Sequence, residues 1–299
     1  GRFDGGFRYY GGASDAKRKV ELVDVDGDGD LDVATAHRPG QNVVNLNDGA
    51  GNFATNSNFG TGSDDTYSIA FGDLNGDGFA DVAVGNQAQQ NVAYINNGSG
   101  VLTANSANFG TGSDATYSVR LADVDNDGDL DVAVGNISAQ NIVYFNNNAG
   151  VFSGSSNFGT GSDATHWVEF ADGDGDGDVD VAVGNYAGQD AVYLNDGAGN
   201  FNAGTKNFGT GTDNTEYLIF ADAEGDGDLD VAAGHWGQTD VVYVNDGAGN
   251  FSAGSNIGAG NENTWVISSG DVDGDGDLDL AVGVTGQNAV YYNALAPTI

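Results

Sequence analysis

An acidic nonapeptide of the form Asp-x-Asp-x-Asp-Gly-x-x-Asp, or a near copy of it, recurs six times along this chain. The copies begin at Asp24, Asp73, Asp123, Asp172, Asp222 and Asp271, and the starts are 49 or 50 residues apart throughout. A period of this length, sustained over 299 residues, marks an array of one supersecondary unit whose copies cover each other's apolar faces. The chain is therefore expected to be one repeat domain spanning 1–299, although length alone would suggest two ordinary domains.

The third repeat displays the unit. Residues Thr116 to Ala122 alternate in the manner of a strand, and the acidic loop from Asp123 to Asp131 follows. Leu130, Val132 and Val134 then line one face, with the small Ala133 and Gly135 on the other. Residues Asn141 to Asn146 read as a strand apolar on both faces. A Gly/Asn turn (Asn147 to Gly150) leads to a fourth segment through Phe152, and the chain crosses to the next unit through 157–163. Four short strands joined by tight turns describe a propeller blade, and 50 Gly with 2 Pro suit such turns. The expected fold is all-β: a six-bladed β-propeller of four-stranded blades. Gly1-Arg2-Phe3 matches Gly199-Asn200-Phe201, while the last repeat stops after a third strand at Ala289 to Asn293. The N-terminal strand is thus expected to complete the sixth blade and remove the open edge of a linear array.

The loops have the composition of calcium sites. Calcium takes six to eight oxygen ligands in flexible geometry. Alternate acidic residues at loop positions 1, 3 and 5 turn toward one point, Gly at position 6 allows the sharp turn, position 7 offers its carbonyl, and position 9 closes the cage. The side-chain ligands expected are Asp24, Asp26, Asp28 and Asp32; Asp73, Asn75, Asp77 and Asp81; Asp123, Asp125, Asp127 and Asp131; Asp172, Asp174, Asp176 and Asp180; Asp222, Glu224, Asp226 and Asp230; and Asp271, Asp273, Asp275 and Asp279. The carbonyls at position 7 belong to Asp30, Phe79, Asp129, Asp178, Asp228 and Asp277. Asn75 lowers the charge of the second loop, and Glu224 brings a longer arm to the fifth. Turns alone need one Asp rather than four at alternate positions, and magnesium suits an all-protein cage poorly. Up to six Ca2+ ions are expected, and folding should be linked to them.

The net charge of −36 argues against nucleic acid and anionic membrane surfaces as partners. Five loops hold five acidic residues each and the second holds three, so 28 of the 44 acidic residues are ligand supply. There is no Cys, so no redox signal, and no run approaches the ~18–20 apolar residues of a membrane span. Met is absent even at position 1, as expected of a processed form or an excised domain.

The units Asp271-Val-Asp-Gly-Asp-Gly-Asp-Leu-Asp279 and Tyr193-Leu-Asn-Asp-Gly-Ala-Gly-Asn-Phe201 resemble FG-GAP/VCBS-type repeats, which occur in integrin α-subunit propellers, bacterial surface proteins and some fungal lectins. The resemblance covers essentially the whole chain. It implies a calcium loop between the first and second strands of each blade, an extracellular setting, and binding or adhesion far more often than catalysis. Integrin heads and the related lectins have seven blades, against six repeats here.

If all six loops lie on one face, the residues that vary between repeats lie on the other. Six residues before each first Asp stand Arg18, Tyr67, Tyr117, His166, Glu216 and Trp265. After the second strand stand His37-Arg38, Asn86-Gln87, Asn136-Ile137, Asn185-Tyr186, His235-Trp236 and Val284-Thr285. Tyr67, Tyr117, His166, Trp167, Tyr186, His235, Trp236 and Trp265 are the candidate ligand-binding residues. Rings that stack on sugars, with polar partners for hydroxyls, make carbohydrate the leading ligand; a protein partner comes next, since the same residues make hot spots. The competing reading is that these rings pack between sheets. No nucleophile stands with a poised base and an oxyanion site, so no enzyme is expected. The alternatives are a structural spacer joined to flanking domains of a larger surface protein or filament, and a propeller lyase or hydrolase.

Overall fold

The computed structural model describes residues 16–104 and 108–293. The first repeat supplies β1 (Lys17–Val23), β2 (Asp32–His37), β3 (Gly40–Leu46) and β4 (Thr55–Asp64). The second supplies β5 (Thr66–Gly72), β6 (Asp81–Asn86), β7 (Val92–Asn96) and β8 (Leu102–Ala104). The third supplies β9 (Ala115–Ala122), β10 (Asp131–Ile137), β11 (Asn141–Phe145) and β12 (Gly154–Phe158). Each repeat is a four-stranded sheet with its strands in chain order. From there the chain runs as β13 (Thr165–Ala171), β14 (Asp180–Leu194), β15 (Gly204–Ala221), β16 (Asp230–Asn245), β17 (Phe251–Gly270), β18 (Asp279–Val284) and β19 (Ala289–Tyr291), seven strands hydrogen-bonded in sequence.

The longer strands keep the four-strand pattern. In β14, Asp180 to Asn185 pair with β13, and Asp190 to Leu194 pair with β15. Between these two runs Tyr186 and Gly188 pair with Asn214 and Asp213, so the crossover segment stays extended and fuses two strands into one. The strand expected from residues 1–12 to complete the sixth repeat lies outside the described residues. Two compact units form: the described residues of Gly1–Leu121 with Asp129–Val132 and Tyr144–Gly154, and Ala122–Gly128 with Ala133–Val143 and Ser155–Ile299.

The second strand of each repeat is the most deeply covered: every residue of β2 and β6 is buried. In the first unit Val25, Val44, Phe59, Ile69, Val82 and Val84 share one core; in the second, Val192, Phe208, Leu218 and Val231 do so. The small residues expected on the second strand allow this approach. A Cβ on Gly85 would fall 2.8 Å from Thr116 and Val119, and one on Gly184 would fall 2.7 Å from Thr215. A polar relay runs beside these contacts. Asn42 Nδ2 donates to Thr66 Oγ1 (2.9 Å), whose hydroxyl donates to Asn86 Oδ1 (2.8 Å). Asn141, Thr165 and Asn185 repeat it at 2.8 and 2.6 Å.

Candidate functional site

Every acidic loop links the first and second strands of its repeat, and its own carboxylates build it. The position-1 side chain organises the turn: Asp24 Oδ1 accepts the Gly27 amide (2.8 Å) and Oδ2 the Gly29 amide (3.0 Å). Asp73, Asp172, Asp222 and Asp271 do the same in their loops. This geometry needs positive φ at position 4 as well as position 6, seen as 76° at Gly27 and 91° at Gly29. In the third loop Asn126 takes position 4 at φ 61°. The position-5 carboxylate turns the chain again, as where Asp28 accepts the Asp30 amide at 2.9 Å.

Position 9 is structural as well as acidic. Asp32 is buried and accepts the Val25 amide (2.9 Å) on one oxygen and the Asn47 amide (2.8 Å) on the other. Asp81, Asp180 and Asp230 repeat that pair of bonds. Burial pushes Asp81 and Asp180 up to about 6 despite those donors.

Position 3 is the exception. One oxygen each of Asp26, Asp125 and Asp174 is buried with no hydrogen-bond partner. Burial, then the neighbouring carboxylates, hold all three side chains above the usual carboxylate range. Ligand atoms of Asp24, Asp26 and Asp32 lie within 4.8 Å of one another, as do those of Asp172, Asp174 and Asp180, and of Asp271, Asp273 and Asp279. In the third loop Asp123, Asp125 and Asp127 converge in the same way. An orphaned, inward-facing oxygen among converging carboxylates is a donor set that fits a hard divalent cation such as calcium. In the second loop Asn75 Nδ2 instead donates to Asp77 (3.0 Å), and Phe79 sets its ring against Gly98 where other loops carry Asp.

The next repeat grips each of the first five loops through a residue that spacing alone did not single out. Asn96 Nδ2 donates to the Val25 carbonyl at 2.7 Å, and Asn146, Asn195, Asn245 and Asn293 bond the carbonyls of Leu74, Val124, Gly173 and Ala223. The asparagine that ends one repeat's third strand thus fixes position 2 of the preceding loop.

At the other end of the sheets a β-bulge opens the first strand. Pairing shifts register between Lys17 and Lys19, Thr66 and Ser68, Thr165 and Trp167, Thr215 and Tyr217, and Thr264 and Val266. The skipped residues are Arg18, Tyr67, His166, Glu216 and Trp265, five of the six that vary between repeats. A bulge frees a side chain from the ladder and re-aims it.

Those side chains meet in clusters. In the first unit Tyr67 stacks on Tyr117 (centroids 4.1 Å apart), with the Arg18 and Arg38 guanidinium groups 4.6 and 4.3 Å from its ring centre. Arg38 also bonds Gln87 (2.9 Å) and pairs with Asp65 (2.7 Å). In the second unit His166 stacks on Tyr186 (5.1 Å) and its Nδ1 lies 2.9 Å from Glu216. Trp236 meets Trp265 edge to face at 4.6 Å, and Trp265 is 46% exposed.

Three of the candidate ligand residues are withdrawn from the surface, and Tyr67, beneath its Arg and Tyr neighbours, is only 8% exposed. Trp167, one residue past its bulge, turns into the core between sheets and packs on Tyr217 at 3.7 Å. His235, inside β16 and paired with Thr215 of β15, is 1% exposed, so no surface ligand reaches it.

A profile of the FG-GAP-like repeat matches the chain five times in overlapping stretches, at residues 24–84, 73–134, 123–183, 172–233 and 224–282. Among solved structures, the crystal structure of BBS1N in complex with ARL6DN, soaked with lead, is similar at a TM-score of 0.65 and 12% identity. That match covers 93% of this chain and 79% of the other. The mercury-soaked form of the same complex gives 0.63 and 15%, covering 94% and 83%. At such identity the likeness shows the fold alone: an all-β propeller built of four-stranded blades. No curated protein sequence matches the chain.

Proposed function

Since the chain belongs to the FG-GAP-like repeat family, we propose that it is an extracellular, calcium-stabilised recognition module that binds a protein partner at the bulged ends of its first strands. One observation carries this reading: the bulges lift the residues that differ between repeats out of the ladder. Two of the side chains so presented, the exposed Arg18 and Trp265, are of types that dominate protein hot spots. The complex of BBS1N with ARL6DN, a protein partner on the same fold, supports it by analogy.

Calcium belongs to the same proposal. The carboxylates at loop positions 1, 3, 5 and 9 would hold the ion with the position-7 carbonyl, and bound cations would offset the repulsion that these side chains otherwise exert on one another. The proposal includes no catalytic step. Carbohydrate is the second reading, favoured by one observation: Trp265 is 46% exposed, with its indole N–H held by Thr285 (3.0 Å) and Trp236 set edge-on beside it.

Immobilised panels of extracellular proteins and of glycans, probed with the chain in calcium and in chelator, separate the two readings. Calcium-dependent capture by a protein that weakens about ten-fold or more on Arg18→Ala or Trp265→Ala is expected, the loss of a hot-spot anchor. Glycan capture that Trp265→Ala alone abolishes favours the second reading. Silence on both panels, or capture indifferent to both substitutions, overturns the proposal.

A further inference from the structure

The relay that joins one sheet to the next is neutral in the early repeats, an Asn–Thr–Asn line as at Asn42, Thr66 and Asn86. At the fourth junction both ends change. Asp190 stands where the line has Asn42, Asn91 and Asn141, and His235 stands where it has Asn86, Asn136 and Asn185. The Thr215 hydroxyl now donates back to Asp190 Oδ2 (2.7 Å), and Asp190 Oδ1 accepts the Asn185 amide (2.7 Å).

His235 is held in a single tautomer. Its Nδ1 lies 2.7 Å from the Thr239 carbonyl, which only accepts, so Nδ1 carries a proton, and in the neutral ring Nε2 presents the lone pair. Nε2 is buried, in a residue 1% exposed, and has no partner. A third group completes the arrangement. Asp213 caps the turn before β15's second half by accepting the Thr210 amide and hydroxyl, both at 2.6 Å. Ligand atoms of Asp190, Asp213 and His235 all lie within 4.8 Å of one another.

We infer that Asp190, Asp213 and His235 form a buried site for a divalent transition metal of the zinc type, separate from the acidic loops. One imidazole nitrogen and two carboxylate oxygens are a zinc-like donor set, whereas calcium seeks six to eight oxygens. Each carboxylate oxygen keeps a lone pair beyond the hydrogen bond it accepts.

Neighbouring junctions act as controls within the molecule. Asp240 accepts the Thr264 hydroxyl (2.7 Å) in the fifth, but Val284 replaces the imidazole. In the first repeat His37 holds the position of His235, but its Nε2 is bonded to Thr35 Oγ1 (3.0 Å). Among the described residues, the fourth junction alone assembles both.

The test is a zinc titration of the full chain in millimolar calcium, which occupies the loops, read by calorimetry, with cobalt as a visible-absorption probe. One equivalent of zinc is expected, together with cobalt ligand-field bands and a melting temperature raised by zinc. Asp190→Asn and His235→Asn each restore the residue that other repeats carry at that position, so both variants should fold, as circular dichroism would verify. Each should weaken that equivalent by about ten-fold or more, since loss of a donor exceeds the usual cost of altering its surroundings. Asp240→Asn should leave it intact. Zinc binding absent from the calcium-loaded wild-type chain, or unchanged in both variants, would overturn the assignment.

Discussion

Asp174 concentrates the chemistry of its loop in one oxygen. Its neighbours at positions 1, 5 and 9 spend their carboxylates on backbone amides, whereas one Asp174 oxygen is buried without a donor. Asp174→Asn should therefore lower the calcium stoichiometry by one in calorimetry while leaving the metal-free melting temperature unchanged or higher, because the charge it removes is disfavoured in the folded state. A metal-free melt that falls would show the side chain to be structural instead. Tyr193 gives a second residue-scale expectation. Burial, then the Asp163 carboxylate, pushes its phenol up to about 12. The folded state holds that proton more tightly than the unfolded one, so stability is complete below pH ~10 and declines as pH rises from there toward 12. Tyr193→Phe should flatten that decline in alkaline melts. The alternation of Asp in the loops was legible because ligand convergence follows directly from spacing. The burial of His235 and the packing of Trp167 were not, since the first depends on neighbouring strands far along the chain and the second on a bulge that only the pairing register reveals.

Strand pairs and their stitches set the next scale. Adding one methyl at Gly184 would bring it 2.7 Å from Thr215 across the sheet-to-sheet contact, so Gly184→Ala should cost about 1–3 kcal/mol in urea unfolding, as overpacking does. Asn146 donates to the carbonyls of Leu74 (2.8 Å) and Leu130 (3.1 Å). Asn146→Ala leaves both without that donor and should cost about 1–3 kcal/mol, and it should weaken calcium at the second loop, whose position 2 it holds. Four strands per repeat could be read from apolar alternation and Gly/Asn turns because those signals are local. The fusion of strands in β14 to β17 could not, since a crossover stays extended only when the loop beside it offers pairing partners, as Tyr186 and Gly188 do for Asn214 and Asp213.

For the molecule as a whole, charge is the dominant variable. Six divalent ions at the loops would bring the formal charge of −36 to −24. In chelator, raising ionic strength from about 0.01 to 0.1 M shortens the screening length from ~30 to ~10 Å, and the melting temperature should climb steeply. In saturating calcium the same salt series should move it far less. Equal slopes in the two series would mean that the loops take up no cation. The repeat family was legible at this scale because six copies of one motif reinforce a signal that a single copy would leave weak.

The bulges at the first strands carry a consequence for how this chain can change over time. A side chain that answers to no opposite strand is exempt from the selection that fixes its neighbours. Positions 18, 67, 166, 216 and 265 therefore form a set of variable slots on a repeated frame, coupled in two pairs, 18 with 67 and 166 with 216. A library that randomises the exposed positions 18 and 265, and varies 166 together with 216, should yield mostly folded members, so that a lineage, or an engineer, can exchange specificities without renegotiating the scaffold.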